Sequence, residues 1–171
     1  NPQNASSKPG ASVLDVMVLY TPGVTALYQG DHLTRIMHVL EYGNESFQNV
    51  GIEASLRLVH LEEIQFSESV QDSVALAAMR NRDGVFSDLQ EKRIAAGADL
   101  VILYRPDFEG ADSGGRATLI GLGFNGDFKS RDGSDAFATA YINEWDHTTI
   151  HEFGHNMGLG HDRREDGNRG T

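Results

Sequence analysis

Hydrophobic residues fall in short, sharply bounded runs along this chain. VLDVMVLY (13–20) and ADLVILY (98–104) are almost continuously apolar, the pattern of strands covered on both faces. IEASLRLVHLEEI (52–64) alternates, as a half-exposed strand does. AFATAYI (136–142) reads as a further strand and RATLIG (116–121) as a short one. Leu33, Ile36, Met37, Leu40 and Phe47 recur at helical spacing, giving one apolar face to a helix from an Asp31 cap to about Asn49. Residues 69–81 and 84–96 read as helical, interrupted near Asp83-Gly84, and TPGVTALYQG (21–30) as a turn with one helical turn. A last helix runs from about Asp146 to Met157, with Ile150, Phe153 and Met157 on its core face. The polar stretch NPQNASSKPG (1–10) reads as a mobile lead-in; 106–115 and 123–135 read as loops.

The order strand, helix, strand, helix, strand, strand, strand, helix predicts an α/β layer with a mostly parallel sheet. A chain of 171 residues fits one domain with a real core, and nothing marks a second. Hydrophobic residues at 39% and charged residues at 23% match a folded, water-soluble profile. No apolar run approaches the roughly 18 residues that cross a bilayer, so no membrane partner is expected. The net charge of −11 argues against nucleic acid, whose phosphates this surface repels. There is no cysteine, which excludes disulfides, thiolate metal sites and a cysteine nucleophile. The chain starts at Asn1 without a signal-like segment, which reads as a removed leader or a cut chain.

The chemistry concentrates in HEFGHNMGLGHD (151–162). On a helix, His151 and His155 share one face a turn apart, so both imidazoles can reach one ion. Glu152 is offset by roughly 100° and can reach a water on that ion. A catalytic zinc needs a third protein ligand and an open position. His147 is excluded, because positions 147 and 155 lie about 12 Å apart along a helix. Gly158 is placed for a left-handed helix stop that turns the chain back, bringing His161 to the ion. Glu165, the sole glutamate beyond His161, lies too close to the helix end to be a downstream ligand. The spacing HExxHxxGxxH thus has a mechanical reason at each fixed position. His32, His38, His60 and His147 read as surface or core residues. The Asp-rich loop 125–135 offers oxygen ligands for Ca2+ but lacks the spacing of a known calcium loop.

This motif resembles the signature of the metzincin zinc endopeptidases. Asn156 and Asp162 are similar to the adamalysin or reprolysin branch, and the cysteine-free chain to its bacterial peptidyl-Asp metallopeptidase-like members. The resemblance implies a zincin-like fold: a twisted five-stranded sheet, four strands parallel and one edge strand antiparallel, above an active-site helix. It implies one Zn2+ on His151, His155 and His161, Glu152 as general base, and Asp162 as a support beside the ligands. It also makes RATLIG the edge strand, so that Arg116, Ala117, Thr118 and Leu119 pair with an extended protein or peptide substrate. Cleavage before acidic residues would need a cation, for which Arg116, Lys129, Arg131, Arg163 and Arg164 are available. Metzincins carry a methionine turn after the third histidine, which RREDGNRGT does not supply. Most of the lower subdomain after Asp162 is therefore expected to be missing from a single catalytic domain spanning 1–171. A propeptide or separate C-terminal segment is an expected partner, and the expected location is extracellular, in a bacterium. The competing readings are a non-catalytic zinc-bearing binding domain, an incomplete protease fragment, and a zinc hydrolase of non-peptide bonds.

Overall fold

The computed structural model describes residues 12–111, 113–120 and 132–161. Five strands form one sheet: β1 (Ser12–Tyr20), β2 (Ala54–Glu63), β3 (Leu100–Arg105), β4 (Gly115–Ala117) and β5 (Phe137–Tyr141). Their order is β2-β1-β3-β5-β4. The β1–β2, β1–β3 and β3–β5 pairs are parallel, and β4 lies antiparallel to β5 at one edge. The helices are α1 (Pro22–Leu27), α2 (His32–Asn49), α3 (Asp72–Asn81), α4 (Leu89–Ala96) and α5 (Thr148–Asn156). This is the mixed, mostly parallel architecture that the hydrophobic pattern predicts. Among the described residues, no helix is long and apolar enough to cross a membrane.

Two apolar layers explain the continuous runs in β1 and β3. Val16 and Val18 pack with Ile102, Tyr104 and Ala138 against Ile36, Leu40 and Phe47 of α2 and Phe153 of α5. Met17 and Leu19, the alternate residues, pack with Val101, Leu103 and Phe137 against Ala75, Leu76 and Met79 of α3. A parallel strand covered on both faces has no polar side to show.

Two helix details depart from the pattern. The buried stripe of α2 is Ile36, Val39, Leu40, Gly43 and Phe47. Met37 is 46% exposed, about 100° around the helix from Ile36, whereas Leu33 lies in line with the stripe but in the first turn of the helix and is 47% exposed. Asp31 does precede the helix, but its carboxylate accepts the Thr34 hydroxyl (2.6 Å) rather than a backbone amide.

The edge strand is also shorter than RATLIG suggests. Only Gly115–Ala117 pair as strand. The chain then bends toward α5. Asn156 donates from Nδ2 to the carbonyls of Thr118 (2.9 Å) and Phe137 (3.1 Å), and the Ile120 amide donates to the His155 carbonyl (3.2 Å). Asn156 thus pins the end of β4 and its neighbour β5 to the helix below.

Candidate metal centre

The final helix brings the chemistry together. α5 starts after the turn that follows β5 and buries Thr149, Phe153 and Asn156 on its core side. His151 and His155 emerge on the opposite, open side. The helix ends at Asn156, and Gly158 adopts φ +88°, the left-handed conformation the spacing predicts. Its amide and that of Leu159 close on the carbonyls of His155 (3.0 Å) and Gly154 (2.9 Å). The reversal carries His161 back over the other two histidines. Gly158→Ala is expected to cost about 1 kcal/mol of stability, since a Cβ is unfavourable at this φ. A denaturant titration of the two proteins checks it.

The three rings converge at their Nε2 atoms. His161 Nε2 lies 3.1 Å from His151 Nε2 and 3.1 Å from His155 Nε2. Ligand nitrogens about 2.1 Å from a tetrahedral ion stand roughly 3.4 Å apart, so the spacing fits one shared ion. The ring of His155 is oriented for it. Its Nδ1 sits 2.7 Å from the Leu159 carbonyl, which only accepts, so Nδ1 carries the proton and Nε2 keeps its lone pair. Among the described residues this is the cluster of histidine, aspartate and glutamate side chains able to hold a metal ion.

Glu152 is the buried member, 4% exposed between α5 and the edge strand. Burial pushes its carboxyl up to about 8; the charge of Asp72 adds to the rise, and that of Arg116 opposes it. The contact with β4 is close. A methyl group at Gly115 would lie 2.9 Å from both Glu152 Oε1 and Thr148 Cγ2. The cleft above has a volume of about 880 Å³ and is bordered by β4, the turn from β5 and the three histidines.

Among the described residues, no strand pairs with the outer edge of β4. Thr118 donates its amide to Phe137 O (3.0 Å), and Gly114 accepts from the Tyr141 amide (3.0 Å), so these residues face inward to β5. The period of a strand then turns the backbone of Gly115 and Ala117 outward, along the cleft.

A model of the Metallo-peptidase family M12B Reprolysin-like proteins matches residues 10–171. The chain belongs to that family. A relative of this reprolysin-like chain, the peptidyl-Asp metalloendopeptidase of Pseudomonas aeruginosa, is 30% identical over 172 residues. The match covers 95% of this chain and 27% of the relative, so the chain spans about a quarter of that protein's length. Two solved structures share the fold. One is a chain of a chaperone–substrate complex, with TM-score 0.68 and 20% identity over 90% of this chain and 25% of that one. The other is metalloproteinase-II from Bacteroides fragilis, with TM-score 0.58 and 16% identity over 92% and 45% respectively. Membership in a metallopeptidase family implies a metal, and the histidine cluster of the reprolysin-like chain is compatible with one.

The structure brings together His151, Glu152, His155, Gly158 and His161 as the spacing expects. Asp162 lies outside the described residues, as do Lys129, Arg131, Arg163, Arg164 and most of the Asp-rich loop considered for calcium. His147 sits just before α5 and borders the cleft without joining the cluster. Arg116 pairs with Thr139, which puts it on the α3 side of the sheet rather than beside Glu152, although its charge reaches that carboxyl. Thr118 and Leu119 have left the strand. Gly115 and Asn156 are the site residues whose roles the spacing does not announce. Of the two, the family resemblance points to Asn156, and nothing in the sequence points to Gly115.

Proposed function

We propose that this chain is the catalytic core of a secreted zinc endopeptidase. The observation that carries the reading is the convergence of three imidazole nitrogens beside a buried glutamate, under an open strand edge. His151, His155 and His161 are the residues that would hold the ion. Zinc bound there supplies Lewis acidity and draws the pKa of a water toward neutral. Glu152 then takes the proton from the attacking water and later returns it to the leaving amine. The outward backbone groups of Gly115 and Ala117 offer hydrogen bonds to an extended peptide, which adds to β4 as a further strand. That arrangement favours a protein or peptide substrate over a small amide. The name of the Pseudomonas relative suggests an aspartate beside the cut.

Gly115 follows as a positioning residue, because the edge strand can approach Glu152 only without a Cβ. Gly115→Ala is expected to lower kcat about tenfold or more by displacing the base, while zinc content stays at the parent's value. Steady-state kinetics with metal analysis reads both. The reading as a whole is tested by digesting an unstructured peptide mixture with the zinc-loaded chain and identifying the cuts by mass spectrometry. Cleavage by the parent and none by Glu152→Ala supports it. Equal cleavage by both, or none by either despite bound zinc, overturns it.

A further inference from the structure

Trp145 is the chain's single tryptophan, and it is 72% exposed. A lone exposed apolar side chain needs no explanation. This one stands on a turn that is held from behind. Arg35 of α2 donates from Nε to the Ile142 carbonyl (3.0 Å) and from Nη2 to the Glu144 carbonyl (3.2 Å), and its Nη1 pairs with Asp146. His38 reaches the same carboxylate at 3.3 Å. Within the turn, the Glu144 amide donates to Tyr141 O (3.1 Å) and the Thr148 amide to Trp145 O (3.0 Å). The backbone on both sides of Trp145 is therefore fixed. Its indole stacks with the His147 ring, centroids 6.2 Å apart and planes at 27°.

Glu144 and Trp145 border the same cleft as the metal centre. The Glu144 side chain reaches back to the start of the edge strand: a Cβ at Gly114 would lie 3.7 Å from its Cγ. Its carboxylate has no ion-pair partner among the described residues. The pinned turn thus sets an exposed aromatic ring and a carboxylate unpaired among the described residues on one border of the cleft.

We propose that Glu144 and Trp145 form a subsite for a basic side chain, lysine or arginine, of the peptide lying in the cleft. The inference rests on the peptidase reading for its occupant. An indole face attracts a cation, and the carboxylate completes the pair. The net charge of −11 draws basic peptides toward this surface. The chain enters β4 from Gly114, beside Glu144, and leaves it toward Ile120, which is hydrogen-bonded to the His155 carbonyl. A peptide added antiparallel to β4 therefore places its basic residue on the C-terminal side of the cut.

The single tryptophan makes the subsite its own reporter. The Glu152→Gln protein, which cleaves too slowly to consume the peptide during a titration, is titrated with a blocked alanine-based peptide carrying one lysine, and with analogues carrying norleucine or glutamate instead. A saturable change in tryptophan fluorescence is expected with the lysine peptide. The norleucine peptide should need about tenfold more, and the glutamate peptide more still. Adding Glu144→Gln should reduce the lysine advantage to the part the indole supplies, about threefold. Lysine and norleucine peptides titrating alike would overturn the proposal in favour of a merely apolar contact, and no fluorescence change with any peptide would overturn it outright. The signal needs no turnover. Failure of the peptidase reading shows separately, as the absence of Glu152-dependent cleavage by the parent.

Discussion

The Glu152→Gln protein is expected to bind zinc as the parent does and to cleave peptides about a hundredfold to ten-thousandfold more slowly, the span associated with a lost general base. Glutamine keeps the size of the side chain wedged against Gly115 and Thr148, so the packing between α5 and β4 survives. What it removes is proton transfer. In the metal-free site burial raises this carboxyl to about 8; a cation on the adjacent histidines favours its ionised form, the form that takes a proton from water. The same shift has a consequence for the metal-free fold. The folded protein prefers Glu152 protonated, so that group's contribution is fully present below its ordinary value of 4.5 and is lost as pH rises through about 8. Without metal, Glu152→Gln should therefore gain stability relative to the parent across that window. Kinetics on a quenched fluorescent peptide, with zinc content and metal-free melting curves at pH 4 and pH 8, reads each part. Activity within tenfold of the parent would remove Glu152 from the mechanism.

Asp72→Ala should cost about 3–5 kcal/mol of stability, the range for leaving a buried charge without its partner. Asp72 and Arg105 are both fully buried, with Nη2 and Oδ1 2.7 Å apart. The Asp72 carboxylate also accepts the Thr139 hydroxyl (3.1 Å) and, on its other oxygen, the Ser113 hydroxyl (3.1 Å). Arg105 donates to the Val70 carbonyl at 2.6 Å. Burial is the largest influence on the Asp72 carboxyl and raises it, while the Arg105 guanidinium pulls the other way. The pair thus joins the first turn of α3, the end of β3, the middle of β5 and the segment entering β4. Urea denaturation measures the loss. A double replacement, Asp72→Leu with Arg105→Met, should recover part of it, because no charge is then stranded. A loss under about 1 kcal/mol for Asp72→Ala would show that water reaches Arg105 and that the cluster does not hold the edge strand in place.

Strands buried on both faces announce themselves, and β1 and β3 were legible for that reason. The edge strand was not. It is three residues long, and its end is set by Asn156 and the His155 carbonyl, partners nearly forty residues away in sequence. The face of α2 was legible only in part, since Leu33 and Met37 are as apolar as the residues that do pack. In the metal centre, the histidines follow from helix geometry and one glycine stop, both local. Gly115, by contrast, is one glycine among 19, and only the approach of Glu152 distinguishes it. The Asp72–Arg105 pair was invisible for the same reason. Its members are 33 residues apart and meet only when the sheet forms.

The most direct test of the central claim is the zinc content and zinc X-ray absorption spectrum of the chain, with His161→Ala measured alongside. The account predicts one zinc per chain with three imidazole nitrogens at about 2.0–2.1 Å and one oxygen, and the loss of one imidazole together with most of the affinity in His161→Ala. An unchanged spectrum in that variant, or a zinc held mainly by carboxylates in the parent, would contradict it.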